Sequence, residues 1–83
     1  MAPVEVPQPI APRDVAIRGE MIRLGQLLKL AGAVSSGSEV KLLLAEGQLL
    51  VNGEPESRRG RQLHPGDIVR VHEDELRVVR GGA

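Results

Sequence analysis

The chain has 83 residues, with no cysteine and no Phe, Tyr or Trp, and its 11 Lys and Arg balance 11 Asp and Glu. That length allows one domain with a small core. Without cysteine there is neither a disulfide nor a thiolate metal site, and two separated histidines, His64 and His72, do not make a metal centre by themselves.

Charge is unevenly spread. Residues 23–61 carry 6 basic and 4 acidic groups, whereas residues 1–22 carry 2 and 3, and residues 62–83 carry 3 and 4. A polyanionic partner must therefore be met by basic groups that converge in space, because the neutral chain as a whole attracts none.

Residues 1–12, MAPVEVPQPIAP, hold 4 of the 6 prolines and show no hydrophobic period, so they are expected to form a flexible tail. This start lacks a basic segment followed by an apolar run. No apolar stretch approaches the ~20 residues of a membrane span, so neither a signal peptide nor a membrane segment is expected, and the expected location is cytoplasmic. Residues 15–22 are apolar at intervals and suit a short strand.

Leu24, Leu27, Leu28 and Ala31 recur at three- and four-residue steps, which predicts a helix over residues 24–31, ended by Gly32. Ser36 and Glu39 have capping-box spacing, each side chain satisfying a backbone N–H of the other, and open a second helix over residues 36–46. Val40, Leu43 and Leu44 form its apolar stripe, and Gly47 suits a left-handed C-terminal cap. A β-type run at residues 49–51 ends at Asn52-Gly53, both tolerant of positive φ and hence a tight turn, after which Pro55 should break regular pairing. Residues 57–62 read as a polar loop, and Pro65-Gly66 as a turn. A strand over 68–72, an acidic tip at 73–75 and a strand over 76–79 make a terminal hairpin. Helices first and strands afterwards predict an α+β domain. Its two short helices should pack through Leu27, Leu28, Val40, Leu43 and Leu44 on a small, mainly antiparallel sheet containing Val51, Val69, Val71 and Val78.

The order and spacing of Arg23-Leu24, Leu27, Leu28, Ser36, Lys41, Gly47, Val51-Asn52-Gly53, Arg58, Arg61, Leu63, Gly66-Asp67 and Val69 resemble the S4 RNA-binding family. LGQLLKLAG followed by Ser36-Gly37, and the run VNGEPESRRGR, are most similar to its small stand-alone bacterial members of the YbcJ and YaaA type. The resemblance implies an S4-like fold (the αL motif) over residues 13–80, with a short tail at 81–83. The implied partner is structured RNA, ribosomal RNA first and transfer RNA second. It also implies an RNA surface made by the end of the first helix, the turn and the exposed face of the second helix: Gly25, Lys29, Gly32, Ser36, Gly37 and Lys41. The chain departs from the commonest family pattern at two positions, with Gly25 where many members are acidic and Gly37-Ser38 where many have Arg or Lys after the serine.

Several residue groups could do this chemistry. The N-terminus of the second helix, with Ser35, Ser36 and Gly37, offers hydroxyls, N–H groups and room for a phosphate. Arg58, Arg59 and Arg61 could donate planar hydrogen bonds to phosphates, or pair internally with Glu54 and Glu56. Arg23, just before the first helix, completes the candidate set. Without aromatic side chains to stack on bases, recognition must rest on backbone shape and phosphate position. No enzyme, cofactor, metal or small-molecule substrate is expected: Asp67 in its Gly-Asp turn suits a structural bond to backbone, and no nucleophile stands beside either histidine. Two alternatives remain. Gly81-Gly82 near the end resembles the tail of ubiquitin-like sulfur carriers, though Ala83 would first have to be removed, and an S4 fold could serve protein interaction instead of RNA.

Overall fold

The computed structural model describes residues 12–81. All but Pro12 of the expected N-terminal tail, together with Gly82 and Ala83, lie outside the described residues.

Strand β1 (Arg13–Ile17) turns Val15 and Ile17 inward and leaves Arg13, Asp14 and Ala16 exposed, the alternation of a sheet covered on one face. The apolar stretch at 15–22 is thus not one strand. Gly19, at φ 79°, turns the chain, and Ile22–Arg23 form a separate short strand, β2.

Helix α1 (Leu24–Leu30) buries Leu24, Leu27 and Leu28, and Gly32 at φ 72° closes it. Helix α2 (Gly37–Ala45) starts from Ser36, whose hydroxyl accepts the Glu39 N–H at 3.4 Å. Only half of the expected capping box forms, because the Glu39 carboxylate takes the Ser35 hydroxyl at 2.5 Å instead of reaching back to the Ser36 N–H. Gly47 at φ 69° provides the left-handed cap.

Strand β3 (Leu49–Val51) turns at Asn52 (φ 52°) and Gly53 (φ 84°) into β4 (Glu54–Pro55). Pro55 does not break the pairing at once: it sits opposite Leu50 on an edge strand, where its missing N–H costs no ladder bond. Within the expected polar loop, Gln62–Leu63 form a further strand, β5, antiparallel to β2. Its anchor is Leu63, fully buried. The final hairpin is β6 (Ile68–Val71) and β7 (Asp74–Arg80), joined by His72 and Glu73 rather than by the acidic tip, with Val71 opposite Asp74. His72 takes φ 55° to make that turn, and both histidines are exposed.

The main sheet has the order β1-β7-β6-β3-β4. It is antiparallel except where β1 lies parallel to β7, Val15 opposite Val78. One face carries the helices. Between them lies a core of Leu24, Leu27, Leu28, Val40, Leu43, Leu49, Val51, Leu63, Val69, Val71, Leu76 and Val78, to which Val15, Ile17 and Val34 are added; Leu44 is only partly buried against it. Each such side chain contributes roughly 1.5–3 kcal/mol on burial, and collectively this offsets the conformational entropy of a small domain. Asp67 has the structural role expected of it. Its carboxylate accepts the His64 N–H at 2.7 Å and the Asn52 side-chain amide at 3.1 Å, while the Asn52 carbonyl accepts the Ile68 N–H at 2.9 Å, locking two turns together.

Candidate nucleic-acid interface

The 56–61 loop is built around a buried acid. Glu56, only 7% exposed, donates its backbone N–H to the Leu49 carbonyl at 2.9 Å, which anchors it to β3. Its carboxylate accepts the Ser57 and Arg58 backbone N–H groups at 2.9 and 3.1 Å. It also accepts the Arg58 guanidinium at 3.3 Å and the Arg61 guanidinium at 2.7 Å. The hydrogen bonds from Arg58, then those from Arg61, outweigh burial and hold the Glu56 carboxyl down to about 2. The same contact raises Arg58 above the usual arginine value.

The loop's other side is bonded to α1. The Leu24 N–H donates to the Arg61 carbonyl at 2.9 Å and the Gly25 N–H to the Arg59 carbonyl at 3.1 Å. Two of the N–H groups that a helix start normally leaves unpaired are therefore satisfied by loop carbonyls. Arg23 reinforces the joint, donating through Nη1 to the Gly60 carbonyl at 3.2 Å.

Arg59 is treated differently from its neighbours. A methyl group placed on Gly25 would meet the Arg59 Cγ at 3.1 Å, and one placed on Gly37 would meet its Nη2 at 3.0 Å. The side chain thus lies across both helix starts on a track made by two glycines. The space that the sequence left open for a phosphate beside Gly37 is taken up by a guanidinium. Arg59 also lines an open cleft of about 240 Å³ with Arg23, Gly25, Gln26, Lys29 and Gly60.

The candidate residues therefore divide. Arg23, Gly25, Lys29, Gly37 and Arg59 come together. Arg58 and Arg61 face a second cleft with His64, on the other side of Gly60, and are tied to Glu56, while Glu54 forms no ion pair among the described residues. Arg58 and Arg61 are thus set apart from Arg59, which lies with Arg23 and Lys29. Lys41 stands one turn along α2 from Gly37 and is exposed, on the same helix face. Gly32 sits in the turn between the helices. Ser35 and Ser36 are engaged with Glu39, so a carboxylate already occupies the approach to the N-terminus of α2. Sequence reasoning missed Gln26 and Gly60 as cleft residues; it offered Glu56 as an internal partner of the arginines without saying which of them it takes. Its signal is the placing of one acid two and five residues before Arg58 and Arg61.

The sequence matches the S4 domain over residues 15–79. The chain belongs to the S4 domain family. It is similar to "Probable ribosome maturation protein RlbA" of Bacillus subtilis strain 168, 51% identical over 57 residues, covering 69% of this chain and 80% of that protein. It is also similar to "Putative RNA-binding protein YbcJ" of Escherichia coli K12, 36% identical over 58 residues, covering 70% of this chain and 83% of that one. The α+β architecture is the one expected, and the cleft lies between the start of α1 and the 56–61 loop.

The sulfur-carrier alternative calls for an N-terminal hairpin, and among the described residues β1 pairs instead with β7 and β2 with β5. Gly81 also does not begin a free tail, because its N–H donates to the Ile17 carbonyl at 2.8 Å. Among the described residues no helix is long and apolar enough to cross a membrane.

Proposed function

We propose that this S4 domain binds structured RNA, ribosomal RNA in the first place, and acts in ribosome maturation. The contacts are made by the face that carries Arg23, Lys29, Lys41 and Arg59. The observation that carries this reading is the Arg59 guanidinium laid across Gly25 and Gly37 beside Arg23 and Lys29, with no carboxylate in ion-pair contact among the described residues. Such a cluster repels itself and is relieved by phosphates, to which guanidinium donates in a planar fork. The relatives named for ribosome maturation and RNA binding support the choice of partner. The absence of Phe, Tyr and Trp directs recognition to the sugar-phosphate path of a folded RNA, because the usual stacking platforms for unpaired bases are missing.

Arg58 and Arg61 are partly neutralised by Glu56 and contribute less than their number suggests. If three or four of the remaining cations meet phosphates, binding to a helical RNA falls with salt at a logarithmic slope of roughly −3 to −4, on the duplex-DNA coefficient. Anisotropy titrations of ribosomal RNA fragments and of transfer RNA at several salt concentrations test this directly. Co-sedimentation with ribosomal subunits at low salt, lost at high salt, tests the setting. Salt-independent or undetectable RNA binding would reject the reading in favour of a protein-interaction module, and preference for transfer RNA would reject the ribosomal assignment.

A further inference from the structure

A buried carboxylate inside a basic loop subtracts charge where an RNA-binding face needs it. By charge counting alone, Glu56 opposes the proposed function. Its geometry gives it another part. Through its own N–H it is fixed to β3, and its two oxygens gather the Ser57 and Arg58 N–H groups and two guanidiniums. Those bonds fold residues 56–61 into a closed turn, completed by the Arg61 N–H donating to the Arg58 carbonyl at 3.2 Å. The residue left without a bond to Glu56 in the middle of this turn is Arg59. Its backbone carbonyl is held by the Gly25 N–H, and its side chain therefore sets out over Gly25 and ends at Gly37. The glycines provide the track and the acid sets the starting point.

Given that RNA is the ligand of this face, we propose that Glu56 is its positioning residue: by holding the 56–61 loop closed, it delivers the Arg59 guanidinium to the seat formed by Gly25 and Gly37, where that guanidinium meets phosphate. Glu56 does not touch RNA. Charge counting and positioning then give opposite signs for one substitution. Glu56→Gln keeps the size of the side chain, adds a unit of net positive charge, and turns an amide N–H₂ toward guanidiniums that can only donate.

The experiment is an RNA titration of wild type, E56Q, R59A and the E56Q/R59A pair over a range of salt, with thermal melts to check folding. Positioning predicts that E56Q weakens binding roughly threefold to tenfold, within the coupling found for groups in one hydrogen-bonded network. It also predicts a salt slope shallower by about one phosphate contact. In the R59A background, E56Q should weaken binding no further. Tighter or unchanged binding by E56Q, or an equal loss with and without Arg59, would overturn the proposal while leaving the RNA assignment standing. Failure of the wild type to bind would defeat the assignment itself. Should E56Q not fold, Gly37→Ala tests the same seat from the other end: its methyl meets the Arg59 Nη2, and alanine suits a helix better than glycine. The guanidinium tip then shifts by a few tenths of an ångström, and binding should change by a small factor, only while Arg59 is present; a change that persists in the R59A background overturns the seat.

Discussion

The two faces of this domain carry similar charged groups arranged in opposite ways. On the face of the sheet away from the helices, arginines meet acids. Arg77 bonds to Asp14 at 2.7 Å, while Arg70 stands opposite Glu75 in the ladder register without an ion pair. At the end of β7, Arg80 pairs with Glu20. On the helix and loop face, Arg23, Lys29, Lys41 and Arg59 have no such partners among the described residues; there Glu56 is turned inward against two other arginines and Glu39 is bonded to Ser35. A net charge of zero therefore describes neither face: the excess of basic groups in residues 23–61 is balanced by one excess acid in each flanking segment. Whole-chain charge hides this division because it averages over both.

The most severe way to break the comparison is to remove the core that holds the two faces together. Leu28 is fully buried between α1 and the sheet, and Leu28→Ala should cost about 2–5 kcal/mol of unfolding free energy in urea titrations. Loss of that size would take much of a small domain's stability with it. A milder substitution separates the faces themselves. Lys29→Ala with Arg59→Ala should make the salt slope of RNA binding shallower by about two, whereas Arg70→Ala with Arg77→Ala should leave it unchanged, since one phosphate contact contributes close to one unit. Equal effects from both pairs would erase the distinction.

Acid sharpens the comparison at Glu56. Its folded value of about 2 lies below its ordinary 4.5, so its contribution to stability is fully present above about pH 4.5 and is lost as pH falls toward 2. Unfolding titrations across that window should show stability falling with pH, and E56Q should remove this component of the slope. The smallest effect belongs to the sheet face. Asp14 and Arg77 are each about half exposed, at 53% and 46%, and Asp14→Ala should change stability by less than about 1 kcal/mol.

The helix pair was legible because it is written in local signals: a three- and four-residue apolar period, a serine cap, and Gly32 and Gly47 at the ends. The Asn52-Gly53 turn was legible for the same reason. What escaped was non-local. Gln62 was read as the end of a polar loop because a two-residue strand has no period to show, and only β2, some forty residues earlier, gives Gln62–Leu63 a partner. The His72–Glu73 turn was misplaced by the pull of three successive acids, when the register was fixed by Val69 and Val71 facing Leu76 and the core. At the site, the residue types were readable but the division among the arginines was not. Spacing along a loop does not say which guanidinium a buried acid will claim and which will find a glycine to lie on.

The parallel pairing of β1 with β7 also sets the order of events as the chain is made. Asp14 and Arg77 are 63 residues apart, so closing that contact carries the largest loop-closure entropy of the sheet. The helix pair and the hairpins, built from near neighbours, can form earlier. Until Asp74–Arg80 has left the ribosome, Val15 and Ile17 lack the strand they lie beside, and the first of the described strands is the last to be placed. Protease protection of residues 13–17 on stalled nascent chains of increasing length is expected only after β7 has emerged; protection before that point would show that β1 finds another partner first.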